Sequence, residues 1–435
     1  MIELEGRMIS GLDEFMLRLG HLSVLCACAA KVGSSWFRIT RETAKVLMRP
    51  IPVPLESESY IADYLRRKGL CRVGQAPKSK SRSQYRYPDL VVEADSNSLV
   101  STSGTARPEI WWQDFCLASP GVESRVGAIT VAAKPGSKTG LSHITDWAQF
   151  VSLLNRAGEL SPIGRVVTKL GSEKIEEFSN PYCIGPERIG FAFLILGADL
   201  DCFSRLAPKL LAATAPIRKS NGAKLFADAI KEIADEARTA TYLSAGRTNH
   251  LYENLRDLEN ASRRGKKPLG STSTAWHRTS SRLETYTDLG LLEKAKGGEE
   301  ERFEYVYYPT QALERTVNSL TKAENARHWL EHFLVFALYG QDDAELLEDQ
   351  LFADLPVVVS SLARPTGPVP IDAVAVGLVL RSCERGNPIS IASARNAIEN
   401  LAVSRSEIAR LSRGGFGERA EFVSLDIKRL EELIA

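Results

Sequence analysis

Two histidines four residues apart, in His328-Trp-Leu-Glu-His332, form the pattern H-x-x-E-H. On a helix such a pair shares one face and can grip a zinc ion, the chemistry of an inverted zinc-protease motif. A third ligand must come from downstream, where Glu345, Glu348 and Glu399 are available. The run that follows, Phe333-Leu-Val-Phe-Ala-Leu, reads as core packing. A second constellation, Pro88-Asp89, Glu93 and Ala133-Lys134, has the residue types of a magnesium-dependent nuclease. There the carboxylates bind the metal and the lysine orients the attacking water. The residue two before Lys134 should then be acidic, but it is Ala132. Gly136-Ser-Lys-Thr-Gly140 contains a Lys-Thr pair without P-loop spacing, and neither G-x-S-x-G nor G-x-G-x-x-G occurs. No catalytic residue and no cofactor is therefore assigned. A metal-dependent hydrolase stays as an alternative, with His328 and His332 as its metal candidates.

The basic residues are grouped. The chain of 435 residues has 55 Lys+Arg against 54 Asp+Glu, a net charge of +1. Any nucleic-acid contact must then come from local patches, not from a global field. From Arg263 to Leu283 there are six basic residues and no acidic ones. They are Arg263, Arg264, Lys266, Lys267, Arg278 and Arg282, with His277 among them. Between Tyr64 and Pro88 there are eight basic residues and again no acid, and Lys78, Lys80 and Arg82 crowd one Ser-rich turn. Arg395, Arg405, Arg410 and Arg413 make a third group.

The elements that must position these groups can be read from pattern. Ser271 or Ser273 can cap a helix reaching to about Asp288, with Trp276, Ser280, Leu283 and Tyr286 spaced to face a core. Leu289-Gly-Leu-Leu292 ends that helix and starts a strand. Gly297-Gly298 is a hairpin turn, and Phe303, Tyr305 and Tyr307 alternate with Glu304 and Val306 as a return strand. The stretch resembles the winged-helix superfamily of prokaryotic DNA-binding modules, over residues 263–310. The resemblance implies that the helix before the hairpin enters the major groove, with His277, Arg278 and Arg282 as groove contacts. The acidic tip Glu299-Glu300-Glu301 opposes phosphate, so it should not lie on the backbone. Two further stretches resemble the same module. One is a helix at Ser57–Lys68 followed by a hairpin at 70–92. The other is two helices, Ile371–Arg385 and Ile391–Leu401, followed by strand, Gly-rich turn and strand to about 425.

Elsewhere, Ile9 to Val46 reads as strongly apolar helix, ended by the Pro-rich run after Arg49. Ala94–Ala106 reads as a loop, and Trp111-Trp112 as one buried ring and one at a surface. A helix is expected from Thr145 to Ala157, and another after Ser161-Pro162, where serine caps and proline takes the first turn. Two apolar helices follow, separated near Asp199–Asp201, then helical stretches over Ala223–Leu258 and Thr310–Leu355, and a linker at Ala363–Pro370.

Apolar residues make up 44% and charged residues 25%, the balance of a globular protein rather than a disordered or fibrous one. There is no apolar run of 18 residues to span a membrane. The N-terminus is acidic and lacks signal-peptide flanks, so a cytoplasmic location is expected. The seven cysteines form no CxxC pair and read as buried free thiols. The expected fold is mainly α with small β-hairpins (α+β), in several domains: 1–95, 107–215, 223–360 and 370–435. Tandem winged-helix-like modules would be joined by helical segments. The expected function is non-enzymatic binding of double-stranded DNA, with protein partners in a prokaryotic DNA-defence or DNA-maintenance complex. The first alternative is a protein–protein scaffold in which the winged helices are structural.

Overall fold

The computed structural model of the chain describes residues 2–9, 19–33, 35–36, 38–40, 42–43, 90–92, 99–101, 140–177, 187–296, 305–341, 346–362, 367–413 and 421–434. These residues are mainly helical, with three small antiparallel sheets. Several expectations fall outside them: the Ser57–Lys68 helix, the turn carrying Lys78, Lys80 and Arg82, the Asp89–Glu93–Lys134 set, Trp111-Trp112, and the hairpin tip Glu299–Glu301. Among the described residues, no helix is long and apolar enough to cross a membrane.

Residues 2–9 run extended, not helical, and α1 spans Leu19–Val32. β1 (Leu90–Val92) pairs forward with β2 (Leu99–Ser101), where a loop was expected. α2 (Gly140–Phe150) ends at a tight turn whose Ser152 has a positive φ of 59°, earlier than its apolar pattern suggested. α3 (Pro162–Glu177) starts as the sequence requires, with the Ser161 hydroxyl accepting from the Gly164 N–H at 3.0 Å. α4 (Arg188–Ala198) and α5 (Leu200–Leu211) meet at Asp199.

Two stretches share one chain path. The first runs α5, β3 (Ile217–Arg218), α6 (Lys219–Thr239), α7 (Ala245–Gly265), a 3-10 turn (Leu269–Ser271), α8 (Ser273–Asp288), β4 (Leu292–Lys296), β5 (Tyr305–Pro309) and α9 (Gln311–Leu320). Short helices α10 (Ala326–His332) and α11 (Leu334–Tyr339) follow. The second stretch runs α12 (Glu348–Ser361), β6 (Val369–Pro370), α13 (Ile371–Glu384), α14 (Ile391–Ser404), β7 (Ala409–Ser412), β8 (Phe422–Leu425) and α15 (Ile427–Ile434). In both, the strand before the helices pairs with the last strand of the later hairpin, giving the orders β3-β5-β4 and β6-β8-β7. The first stretch differs by the inserted helix α7. What sequence alone ran together as Ala223–Leu258 is thus two helices, with Ser244 capping the second through the Arg247 N–H.

The core explains the order. α13 is apolar on nearly every face and is buried, as a helix without a polar side must be. It lies against α3, α12 and α14. Gly377 lets α12 approach, since a Cβ there would sit 2.4 Å from Val358 Cγ1. The β4–β5 hairpin is fixed to α8 by a buried triad. The Lys294 ammonium and the Tyr307 hydroxyl each donate to Glu284 Oε1 at 2.6 Å, and Lys294 stands opposite Tyr307 in the ladder.

Cys26, Cys28, Cys202 and Cys383 are buried thiols outside any disulfide. Burial pushes the Cys26 thiol up to about 12 and Cys383 up to about 11, despite hydrogen bonds that pull the other way. A thiol raised from its ordinary value to about 12 has roughly a thousandfold less thiolate at pH 8. Iodoacetamide at pH 8 should therefore leave these four unmodified in the native protein and label them after denaturation. Peptide mapping reads this directly, and native labelling at Cys26 would contradict the packing.

Candidate nucleic-acid interface

The helix that the resemblance aims at a groove, α8, lies mostly inside the protein. Every residue from Arg278 to Tyr286 is buried. α6 covers one side through Leu283, and α7 covers another. Arg282 makes a two-point bond to Asp199, Nε to Oδ2 at 2.7 Å and Nη2 to Oδ1 at 2.8 Å. Its Nη2 also donates to the Ile9 carbonyl at 2.9 Å, and its plane sits 4.8 Å from the Phe226 ring centre. Burial opposes its charge, but Asp199 outweighs that cost and holds the guanidinium above its ordinary pKa. Arg278 is similarly occupied, bonded to Asp257 at 2.9 Å and Asn254 at 3.3 Å.

Asp199 and Asp201 also bind the extended N-terminal segment. Asp201 accepts from the Glu5 and Arg7 N–H groups at 2.9 and 2.7 Å, and Asp199 from the Ile9 N–H at 2.8 Å. Arg205 donates to the Ile2 carbonyl at 2.7 Å. The acidic break between α4 and α5 thus has a structural use, which spacing alone did not reveal. These contacts run against the sequence reading: Arg278 and Arg282 are buried and bonded inside the fold, not presented as a solvated stripe. Arg395 is placed in the same way. It is buried in α14 and pairs with Asp372 and, at 3.7 Å, with Glu399.

Other basic residues are where a polyanion could reach them. Arg263 and Arg264, in the last turn of α7, and Lys266 and Lys267, in the link to α8, are all exposed. Only Arg263 among them pairs with an acid among the described residues, Glu259 at 3.3 Å across exposed surface. Such a pair contributes little. Lys266 closes α7 with φ 50° and ψ 43°, the left-handed region that glycine prefers. His277 is half-buried in the first turns of α8. Trp276, expected in the core, is 43% exposed in the first turns of α8. Arg410 and Arg413 are exposed at the β7 strand, with Arg410 Nε donating to the Ser406 carbonyl at 3.2 Å.

α14 is the counterpart of α8 in the second stretch, but it is open. Ser390 caps it by accepting from the Ser393 N–H at 3.0 Å. Ile391, Ala394, Ile398 and Leu401 turn inward. Asn396, Asn400 and Ser404 are exposed, and with Ser393 they line a cleft of about 740 Å³ beside α12. Arg405, Glu348 and Glu407 edge that cleft, with Arg405 and Glu348 3.4 Å apart. Sequence reading passed over this polar stripe because it looked for charge. The signal was present as the serine and asparagine spacing 393, 396, 400 and 404, one helical face.

The histidine pair lies on α10 with its rings 4.4 Å apart, edge to face. His328 Nδ1 accepts from the Glu324 N–H at 3.1 Å, and the motif glutamate, Glu331, binds Arg327 at 2.7 Å. Glu348 and Glu399 face arginines. Among the described residues no three His, Cys, Asp or Glu side chains gather as a metal site would need. Comparison with family models, curated proteins and solved structures gave no match.

Proposed function

We propose that the chain binds double-stranded DNA without chemistry of its own, through two winged-helix modules of unequal role. The observation that carries this reading is α14. It precedes a hairpin, stands in a helix–strand–helix–helix–hairpin path, and exposes serine and asparagine along one face beside Arg410 and Arg413. Asparagine can bond an adenine edge at two points, and arginines on a following hairpin can reach phosphates. The first module serves as framework, because its corresponding helix is buried. It offers the basic turn Arg263–Lys267 for phosphate contacts that do not depend on sequence. The modular layout fits a subunit of a larger DNA-handling assembly. The scaffold alternative draws support from that same buried α8 and from the exposed apolar residues Leu347 and Val403 near the α14 cleft.

Fluorescence anisotropy of a labelled duplex of about 30 base pairs, titrated from about 50 to about 300 mM salt, tests the reading. A log–log slope of about −5 or steeper fits several phosphates neutralised together. No binding at the lowest salt overturns it and favours a protein partner.

Lys266 offers a second test within the same assay. A lysine held at φ 50° costs backbone energy of about 1 kcal/mol that glycine does not incur. Lys266→Gly should therefore melt no lower than the parent, yet bind duplex more weakly with a slope shallower by about 0.9. Unchanged affinity and slope would remove the turn from the interface.

A further inference from the structure

We infer that the turn between α7 and α8 is a site for unpaired nucleotides adjoining a duplex, with Trp276 stacking on an exposed base. The inference rests on the DNA-binding reading and adds a substrate class to it. α7 and α8 fold back on each other through the link 266–272, and Arg278 of α8 reaches Asp257 of α7. This brings the start of α8 to the same end of the pair as Arg263–Lys267. Trp276 is in the first turns of α8, since its N–H bonds the Thr272 carbonyl at 3.1 Å. Its neighbours down the helix, Ser280 and Leu283, are buried, whereas its own ring is 43% exposed. Leaving an indole in water forgoes hydrophobic stabilisation that the core positions secure.

The surroundings favour one occupant. Arg264, Lys266 and Lys267 are exposed and make no ion pair among the described residues. An apolar protein surface would have to desolvate these cations, whereas a phosphodiester chain would neutralise them. Cations that follow a backbone, next to an aromatic ring that takes a base, are the two parts of single-strand recognition. A continuous duplex offers no free base face to the ring. A tail, bulge or frayed end does.

The test uses the full chain and two labelled DNAs, a blunt duplex and the same duplex with an unpaired tail of about ten nucleotides. The tailed DNA should bind about tenfold tighter and quench tryptophan fluorescence. Trp276→Ala should lose that preference and leave blunt-duplex affinity within about twofold, while Trp276→Phe keeps part of it. A circular dichroism melt of each variant checks that the fold is intact. If the parent binds both DNAs equally, or if Trp276→Ala keeps the tail preference, the stacking site is overturned and duplex binding stands. If neither DNA binds, the DNA reading itself fails. A tail preference lost on Lys266→Ala/Lys267→Ala but retained on Trp276→Ala would reduce the turn to a phosphate patch and also overturn the inference.

Discussion

Arg282→Ala is expected to destabilise the protein by about 3–5 kcal/mol, the cost of stranding a buried charge by removing its partner. Asp199 would be left 3% exposed with its strongest counter-charge gone. The loss spreads further, because the same guanidinium holds the Ile9 carbonyl and the same carboxylate holds the Ile9 N–H. The extended segment 2–9 should loosen along with the α5–α8 contact. Thermal unfolding followed by circular dichroism should show a midpoint lower by about 5 °C or more. Asp199→Ala should behave alike. Replacing both partners by apolar residues, Asp199→Leu with Arg282→Met, should recover much of the loss, since a buried ion pair is nearly neutral against a well-packed apolar pair. If Arg282→Ala melts within about a degree of the parent, the pair is not the strut described above.

The second large effect concerns α14. Asn396→Ala with Asn400→Ala should weaken binding to a preferred duplex by about tenfold or more, while leaving non-specific binding and its salt slope nearly unchanged. Arg410→Ala with Arg413→Ala should do the reverse, weakening all duplexes and making the slope shallower by about 2. All four side chains are exposed, so the melting temperature should hardly move. A preferred sequence must first be selected from a random duplex pool. If selection yields no preference, or if the asparagine pair leaves it intact, α14 does not read bases. The Arg395→Ala variant is the contrast: it should act on stability, because Arg395 is buried between Asp372 and Glu399.

The sequence made the local order of α8 legible to within a residue. Its end at Asp288 and the Leu289–Leu292 exit followed from the pattern, whereas the Thr310 cap of the next helix emerged only with the structure. The spans of α13 and α14 followed from their apolar spacing. What could not be read was which face looked outward. Arg278 and Arg282 are four apart and polar, the pattern of a solvated stripe, but their partners Asp257 and Asp199 come from other elements. A buried ion pair has no local signature, since each half looks like a surface residue until the other is placed. Trp276 misled in the opposite way: its spacing matched the core positions, but the helix begins too close to the turn for that position to be covered. In the histidine motif, Glu331 is bonded to Arg327 and His328 Nδ1 to the Glu324 N–H.

The N-terminal segment sets a schedule for synthesis. Ile9 finds Arg282 across 273 positions, and the Leu19 N–H finds Asp288 across 269. At roughly 5–20 residues per second, a ribosome needs about a quarter of a minute to a minute to deliver those partners. Throughout that interval the site for Ile2, Leu4, Met8 and Ile9, all buried in the finished protein, is incomplete: Asp199, Asp201 and Arg205 are made earlier, but Arg282 is not present until its end. Residues 2–9 are therefore made well before the last of their partners and are among the last to be fixed in place. Long-range closure of this kind is slow and leaves apolar surface open while it waits. A nascent chain halted before residue 282 should keep residues 2–9 open to proteases and to chaperones that bind apolar segments. Release of α8 from the ribosome would then withdraw them in a single step.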